Sequence, residues 1–143
     1  MASITGATAV VMLTLPGVFP APFQLQGFAA DDVYDTDDLV SAETLMGVDG
    51  KLSGGFVYVP VVQRYHLQAD SPSIIFFDSW WAAQQQVIEV FNANGLVSIP
   101  SLGKKFTMTK GFLTGYKPLP DAKKLLQPQN FAITWQSVFP AVI

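Results

Sequence analysis

The sequence predicts an α+β fold that is mainly β: an antiparallel β-sandwich or barrel with one long helix packed against it. Short apolar segments, alternating or rich in β-branched residues, recur along the 143 residues, and 10 prolines and 11 glycines punctuate them. Only one segment carries helix signals, and many strands with a single helix are typical of this class. The length predicts one domain over residues 1–143. We expect an N-terminal arm over 1–22 and loops over 29–38 and 115–130.

The first elements are predicted from β-branched residues and from prolines. Residues 7–15 are nearly continuously apolar, which predicts a strand covered on both faces. Breakers then argue against regular structure as far as residue 22: Pro16, Gly17, Pro20 and Pro22. Residues 23–28 predict a short second strand.

A β-hairpin is predicted in the middle of the chain. Residues 39–47 and 52–58 are extended in pattern, and Asp49-Gly50 between them readily adopts the positive φ of a hairpin turn. Gly54-Gly55 suggests a bulge in the returning strand. Further strands are predicted at 61–67, 96–99, 105–114 and 131–139. In the last of these, Phe131, Ile133, Trp135 and Phe139 are expected to face the core.

The helix is predicted over Pro72–Ala93. Ser71 is a good N-cap, Pro72 fits the first turn, and Asn94-Gly95 supplies a left-handed stop. Its polar stripe is narrow, and apolar residues flank it on two sides, with Trp80 on one flank and Trp81 on the other. An amphipathic helix normally buries one stripe. The second flank therefore indicates either a helix sunk deep in its own domain or a partner molecule.

The composition indicates that part of the surface of this protein is covered by other protein molecules. Charged residues make up 13% of the chain and hydrophobic residues 50%, whereas an ordinary domain has about 25% charged residues. This excludes a disordered chain. No apolar run reaches the roughly 18–20 residues of a membrane span, and residues 1–50 contain no Lys or Arg for a secretory signal. We expect no membrane partner and a soluble protein whose apolar surface is buried by partners.

Charge is divided between two parts of the chain. Residues 1–50 carry seven acids and no base, a net charge of −7, and residues 51–143 carry eight bases and four acids, a net charge of +4. Two interpretations stay open: solvated loops, or an acidic segment that faces the basic segment of another copy. Nucleic-acid binding is disfavoured, because the basic residues are few and lack the arginine content and interleaved aromatic residues of a binding surface. The candidate contact residues are Asp31, Asp32, Asp35, Asp37, Asp38, Asp49, Lys104, Lys105, Lys123 and Lys124.

Catalytic chemistry is hard to place on this sequence. There is no cysteine and one histidine, His66, on the polar face of a predicted strand beside Arg64. No nucleophile elbow or glycine-rich phosphate loop is present, and the aspartates of 31–38 lack the spacing of a calcium loop. We expect no catalytic residue, cofactor or metal, and hence no enzyme.

Five segments resemble the tail tube proteins of contractile-tailed bacteriophages, over about residues 24–138. They are QGFAADD, SAETLMGVDGKLSGG (41–55), LQADSPS (67–73), IPSLGKKFTMTKGFLTGY (99–116) and LQPQNFAITWQSV (126–138). The resemblance implies a β-sandwich with a helix on its side. It also implies that six copies form a ring whose inner sheets join around a lumen, and that rings stack into a tube.

The resemblance also implies partners and a location. The partners are further copies of the chain, a contractile sheath protein, and baseplate and tail terminator proteins, while DNA passes through the lumen without specific binding. The location is the virion tail, assembled in the host bacterial cytoplasm. The hairpin 43–58 would belong to the lumen sheet or its edge, with its turn at a ring face. The acidic loop would stack rings, the Lys104–Lys124 region would meet acidic surface, and the helix would face outward or a neighbour.

Two further readings stay open at this stage. One is a tube subunit of a related bacteriocin or secretion-system injection machine. The other, of a different class, is a ligand-binding β-sandwich module such as a lectin or receptor-binding domain, which predicts a small oligomer with an exposed aromatic and polar pocket. The mutational hypothesis is that Trp80→Asp or Trp81→Asp impairs folding or assembly.

Overall fold

The computed structural model describes residues 9–29 and 33–142. Seven strands form one antiparallel sheet in the order β2-β1-β7-β8-β9-β6-β3, and β4 and β5 form a separate two-stranded hairpin. One helix, α1, lies between β6 and β7 in the chain. The prediction of a mainly β, antiparallel fold with one helix is confirmed. The strands are β1 Val10–Leu15, β2 Phe19–Gln24, β3 Tyr34–Thr36, β4 Ala42–Met46, β5 Leu52–Phe56, β6 Val61–Leu67, β7 Asn92–Ile99, β8 Lys104–Tyr116 and β9 Gln129–Val142.

The N-terminal segment is part of the sheet. Residues of β1 alternate between buried and half-buried, so one face of the strand is covered and not both. β2 contains Pro20 and Pro22, although these prolines argued against regular structure. β2 is an edge strand of the described sheet, so on its outer side no strand has to accept a hydrogen bond from the backbone N–H that proline lacks. From residue 10 onward the predicted arm 1–22 is therefore wrong; residues 1–8 lie outside the described part.

Helix α1 spans Ile74–Val87 and is shorter than predicted at both ends. Ile88 takes a left-handed conformation, with φ of 54°, and its N–H donates to the Gln84 carbonyl at 2.8 Å. The Gln84 side chain then accepts the Phe91 N–H at 3.1 Å. This closure ends the helix seven residues before the predicted Asn94-Gly95 stop.

Gly95 serves packing and not helix termination. It lies in β7, where an added Cβ would come within 2.7 Å of Met108 Cε and 3.0 Å of Leu13 Cδ2. At the other end of α1, Ser73 and not Ser71 flanks the helix. The two hydroxyls instead tie the helix start to the chain after β2. Ser73 Oγ accepts the Gln26 N–H at 2.7 Å, and the Ser71 hydroxyl donates to the Gln26 carbonyl at 2.5 Å.

The core lies between α1 and the sheet and is rich in aromatic rings. Phe77 stacks on Phe131 with ring centroids 4.3 Å apart and nearly parallel planes. Phe76 and Trp80 are fully buried beside it, as is Trp135 from β9. Each such side chain contributes on the order of 1.5–3 kcal/mol through burial. Helix and sheet are thus held together by one aromatic cluster.

Phe139 does not join that core, contrary to prediction, and its side chain is 62% exposed. Lys110 in the facing strand has a positive φ of 48°. Two residue pairs on either side of Lys110, Gly111–Trp135 and Met108–Val138, all lie toward the core. Within each strand these core residues are three positions apart, so the two-residue alternation is interrupted there in both strands. A period of two counted from Trp135 therefore places Phe139 on the wrong side.

The β4–β5 hairpin is confirmed, with Met46 opposite Leu52 and Ala42 opposite Phe56. Asp49 Oδ1 accepts the Lys51 N–H at 3.1 Å, and Gly50 has a φ of 85°. The register runs without a shift, so the bulge predicted at Gly54-Gly55 is wrong. Farther along, β3 lies inside the predicted loop 29–38, and the predicted loop 115–130 is a connection over residues 117–128.

Candidate functional site

The projecting hairpin, residues 42–56, is the most exposed regular element of the described chain. Every residue of β4 and β5 is exposed, and the two strands pair only with each other. Leu45 is 75% exposed, Phe56 70% and the adjoining Tyr58 90%. Large apolar side chains are therefore exposed on both faces of the hairpin, which is unusual for an element of a monomer and typical of an interaction surface. The hairpin is therefore a candidate assembly surface.

A free strand edge lies at the same end of the sheet. β6 begins at Val61, which pairs with Trp135, and β9 continues to Val142. Over residues 136–142, β8 is the only described strand that pairs with β9. Unpaired backbone N–H and C=O groups along an edge invite a further strand. Alternation in 131–139 predicted this strand but not its missing neighbour, because pairing partners are not visible in a single strand's pattern.

Two of the candidate acids are held within the chain. Arg64 donates to both carboxylate oxygens of Asp37, at 2.7 and 3.2 Å, and to Asp35 at 3.2 Å. His66 Nε2 lies 3.0 Å from the other Asp35 oxygen, and its Nδ1 lies 2.6 Å from Asn130 Oδ1. The His66 hydrogen bond and the Arg64 guanidinium lower the pKa of Asp35, and Arg64 lowers the pKa of Asp37. Both acids thus clamp the short edge strand β3 to β6.

The remaining charged candidates are exposed. Asp38 follows β3, and Asp49 lies in the hairpin turn; Asp31 and Asp32 lie outside the described residues. Lys104 and Lys105 begin β8, where they pair with Val142 and Ala141 of β9. Lys123 and Lys124 lie in the 117–128 connection. None of the four lysines forms an ion pair with a described residue, whereas Lys117 binds Asp121 at 2.9 Å.

The two tryptophans differ. Trp80 is completely buried in the core, so it cannot offer an interface to another molecule and that assignment is wrong. Trp81 is 40% exposed and stacks on Tyr116, with ring centroids 5.0 Å apart. The Tyr116 hydroxyl donates to Asp78, and burial together with this bond raises the pKa of Tyr116 to about 12. Trp81 therefore remains a candidate contact residue at the surface, where its ring stacks on the hydrogen-bonded Tyr116.

Five apolar residues on α1 and just after it are exposed, so the helix is not sunk deep in its own domain. They are Ile75, Trp81, Val87, Ile88 and Val90. The buried face consists instead of Phe76, Phe77, Trp80 and Gln84. The early end of α1 releases residues 88–90 from helical geometry, so a helical wheel drawn through Ala93 misplaces them.

The described surface contains an open groove of about 390 Å³, and its lining includes Arg64, Gly115, Lys117 and Ala132. Both cations are already paired, with Asp37 and Asp121. Among the described residues, no cluster of His, Asp or Glu side chains could hold a metal ion. Across those same residues, no helix is long and apolar enough to cross a membrane.

Comparison with solved structures finds the same fold in contractile injection systems. A chain of the PVC sheath–tube complex, an extracellular contractile injection system in its extended state, superposes with a TM-score of 0.64 at 12% identity, covering 99% of this chain and 93% of that one. A chain of the anti-feeding prophage baseplate gives 0.60 at 12%, covering 99% and 98%. A chain of the anti-feeding prophage tube-terminating cap gives 0.64 at 10%, covering 100% and 93%.

Sequence comparison places the chain in a family. No curated protein sequence matches it. The family model described as tail fiber protein gp32 matches residues 2–139, nearly the whole chain. The resemblance to phage tail tube proteins is thus supported by a phage-tail family and by a tube-type fold. The chain belongs to the tail fiber protein gp32 family.

Proposed function

We propose that the chain is the subunit of an inner tail tube, in which hexameric rings stack around a lumen that conducts DNA. Two findings support this. The family is a phage-tail family, and the fold is shared with chains from sheath–tube, baseplate and cap assemblies. On this proposal the protein is a structural component of the virion without enzymatic activity. It assembles in the host bacterial cytoplasm.

The observation that carries the proposal is the projecting hairpin. A five-residue by five-residue hairpin with apolar side chains and no core beneath it is at best marginally stable in water. Its exposed leucines, methionine and aromatic rings stay hydrated unless another molecule covers them. A chain with so few charges gains most by covering that surface with further copies of itself. Self-assembly thus explains both the hairpin and the composition.

Partners outside the ring follow from the same assembly. The exposed helix flank around Trp81 offers an apolar surface to a sheath protein or to the neighbouring subunit. Baseplate and terminator proteins would bind the two ends of the tube. The chain carries a net charge of −3, which opposes overall attraction to DNA phosphates. We therefore propose that DNA passes without specific binding.

One alternative is a tube that delivers proteins in place of DNA, as part of a bacteriocin or another injection machine. The fold is equally compatible with that role, since the similar structures come from injection systems and an anti-feeding prophage. The DNA content of the assembled particle distinguishes the two. A ligand-binding module remains the alternative of a different class, and it would use the groove beside Tyr116.

Electron microscopy of the purified chain tests the proposal. We expect rings with sixfold symmetry and, at higher concentration, stacked tubes with a regular axial repeat. The double variant Leu45→Ser with Phe56→Ser, which removes exposed apolar side chains only, serves as the assembly-deficient control. The matched control is Leu119→Ser with Leu125→Ser in the exposed 117–128 connection. Monodisperse monomers of the native chain at high concentration, with no rings or tubes, would overturn the proposal.

A further inference from the structure

We infer that Arg64 is a positioning residue for assembly: by binding Asp35 and Asp37 of its own chain, it fixes the direction in which the projecting hairpin leaves the sheet. The inference rests on the proposed function in one respect, which is that the hairpin takes part in assembly. It gives a role to a group of side chains outside the hairpin, called here the Arg64 cluster: Asp35, Asp37, Arg64, His66 and Asn130.

The hairpin is joined to the sheet by a root of two segments, residues 37–41 after β3 and residues 57–60 before β6. The β6 side is firmly held, because that strand pairs with β9 along all seven of its residues and buries alternate side chains. The β3 side is weak. β3 has three residues, and β6 is its only neighbour in the described sheet. A short edge strand with few buried contacts opens at low cost in free energy.

The Arg64 guanidinium holds that weak side in place. Asp35 lies opposite Arg64 in the strand pairing and accepts a hydrogen bond from Nη1 at 3.2 Å. Asp37 is bound at two points, with Nη1 to Oδ1 at 2.7 Å and Nη2 to Oδ2 at 3.2 Å. Two-point binding fixes the orientation of a carboxylate as well as its distance. Most surface ion pairs contribute little, but a bidentate pair within a network is the exception.

The cluster is anchored in the sheet through His66. Its Nε2 lies 3.0 Å from the second Asp35 oxygen, and its Nδ1 lies 2.6 Å from Asn130 Oδ1 in β9. The His66 side chain is 14% exposed, whereas the side chains of Asp35 and Asp37 are about half exposed. The cluster therefore links β3, β6 and β9, and it extends from half-buried groups on the sheet to the first residue of the root.

Asp37 connects the cluster to the hairpin. Its N–H donates to the Val62 carbonyl at 3.0 Å, and across the root the Val57 N–H donates to the Ser41 carbonyl at 2.8 Å. Residues 38–40 between these two bonds are exposed. The hairpin strands pair only with each other, so the root sets their direction relative to the sheet. Fixing that direction before association lowers the conformational entropy that assembly has to remove.

The alternative role for Arg64 is direct contact with a second copy. Its side chain is 43% exposed and lines the groove beside Tyr116. However, both terminal nitrogens already donate to acids of the same chain. This is the arrangement of a group that holds its own chain together, and a disulfide that replaces the arginine distinguishes the two roles.

The first test is Arg64→Gln, with Lys117→Gln as the matched control. Lys117 lines the same groove and binds Asp121 at 2.9 Å, away from the hairpin root. We expect Arg64→Gln to keep the near-ultraviolet circular dichroism of the aromatic core. Hydrogen–deuterium exchange of the Asp37 amide in the monomer should become about tenfold faster. The concentration needed for assembly should rise about tenfold. Lys117→Gln should leave both within about twofold of the native values.

Asp37→Asn breaks the same cluster from the other side. It should raise the assembly concentration as Arg64→Gln does, although the arginine is still present. The double variant should lose no more than the more severe single variant, because both substitutions remove one interaction. Losses that multiply in the double variant would show two independent roles and would overturn the inference.

A disulfide can take the place of the ion pairs. Asp35→Cys with Arg64→Cys puts the only two cysteines of the chain on directly paired residues. Such residues have Cα atoms about 4.5–5.5 Å apart, within the range of a disulfide. The oxidised form, verified by mass spectrometry, should assemble at a concentration within about threefold of the native one, because β3 is again held to β6. The reduced form should behave as Arg64→Gln does.

The outcomes separate the role of Arg64 from the proposed function. Unchanged exchange of the Asp37 amide in Arg64→Gln would overturn the hold on the root. Faster exchange with native assembly would overturn the role in assembly and leave the tube intact. Equal failure of the oxidised and reduced cysteine variants would assign Arg64 to a direct contact. If the native chain did not assemble at all, the proposed function would be removed and this role with it.

Discussion

The helix-covered core and the projecting hairpin contain similar apolar side chains, but the core buries them and the hairpin exposes them. Phe76, Phe77 and Trp80 are buried completely within the chain. Leu45, Phe56 and Tyr58 are mostly exposed, although the strands that carry them are regular and correctly paired. The difference shows that secondary structure and apolar content alone do not determine burial. A second layer must lie over the strand, and no described element of the chain lies over the hairpin.

The largest effect is expected where the core is broken. Trp80→Asp would place an unpaired charge among fully buried rings, and we expect it to prevent folding. Trp80→Ala is expected to lower the free energy of unfolding by about 3–5 kcal/mol. Urea denaturation followed by circular dichroism measures both. Trp81→Ala is the matched control, and its smaller loss reflects a partly exposed ring; equal losses would contradict the assignment of Trp80 to the core.

At the hairpin we expect substitutions to leave stability nearly unchanged and to abolish assembly. Leu45→Ser with Phe56→Ser should change the free energy of unfolding by about 0.5 kcal/mol or less, because surface substitutions away from packed groups are usually this mild. Assembly should nevertheless be lost, as measured by sedimentation velocity and electron microscopy. A variant that still forms rings, or one that unfolds, would show that the hairpin is not a separate assembly surface.

An intermediate effect is expected from acid. The pKa of Asp35 and of Asp37 is lowered in the folded protein, chiefly by His66 and by Arg64 respectively. Their stabilisation is therefore fully present above the ordinary carboxyl pKa and is lost as the pH falls through the lowered folded values. Asp35→Asn with Asp37→Asn should flatten the acid limb of stability against pH. The matched control Asp38→Asn should leave that limb as in the native chain.

The smallest effect is expected from salt. Surface ion pairs are worth little and are screened. If acids of one copy face lysines of another, replacing Asp31, Asp32, Asp35, Asp37 and Asp38 by Asn should change how strongly salt alters tube stability, as measured by light scattering. Asp35 and Asp37 already bind Arg64, so the separate Asp38→Asn variant tests an acid without a described partner. Salt-independent assembly in all variants would leave the acidic segment as a solvated loop.

Much of the local structure could be predicted because its causes are local. Asp49-Gly50 specifies a turn through its own backbone, and alternation over 131–135 identifies a strand with one buried face. Boundaries failed where a distant contact decided them. α1 ends at Val87 because Gln84 closes it through its backbone carbonyl and side chain. Asn94-Gly95, a good stop by itself, lies in a strand between two others.

The candidate site was only partly predictable for the same reason. A second apolar flank of the helix and a hairpin with apolar residues are visible in the sequence, and both are exposed in the structure. The clamp of Arg64 on Asp35 and Asp37 spans 27 to 29 residues and has no local pattern. The free edge of β9 depends on where β6 begins, which is a property of the sheet and not of either strand.

By itself, the sequence determined that this chain is mainly β with one helix, that it has little charge, and that it offers few groups for chemistry. These properties follow from residue type and spacing, which act over a few residues at a time. The tertiary structure alone decided that Trp80 is core and Trp81 surface, that the prolines of β2 lie at an edge, and that a hairpin and a strand edge remain uncovered. Burial and pairing are relations between distant segments, and only the folded chain brings those segments together.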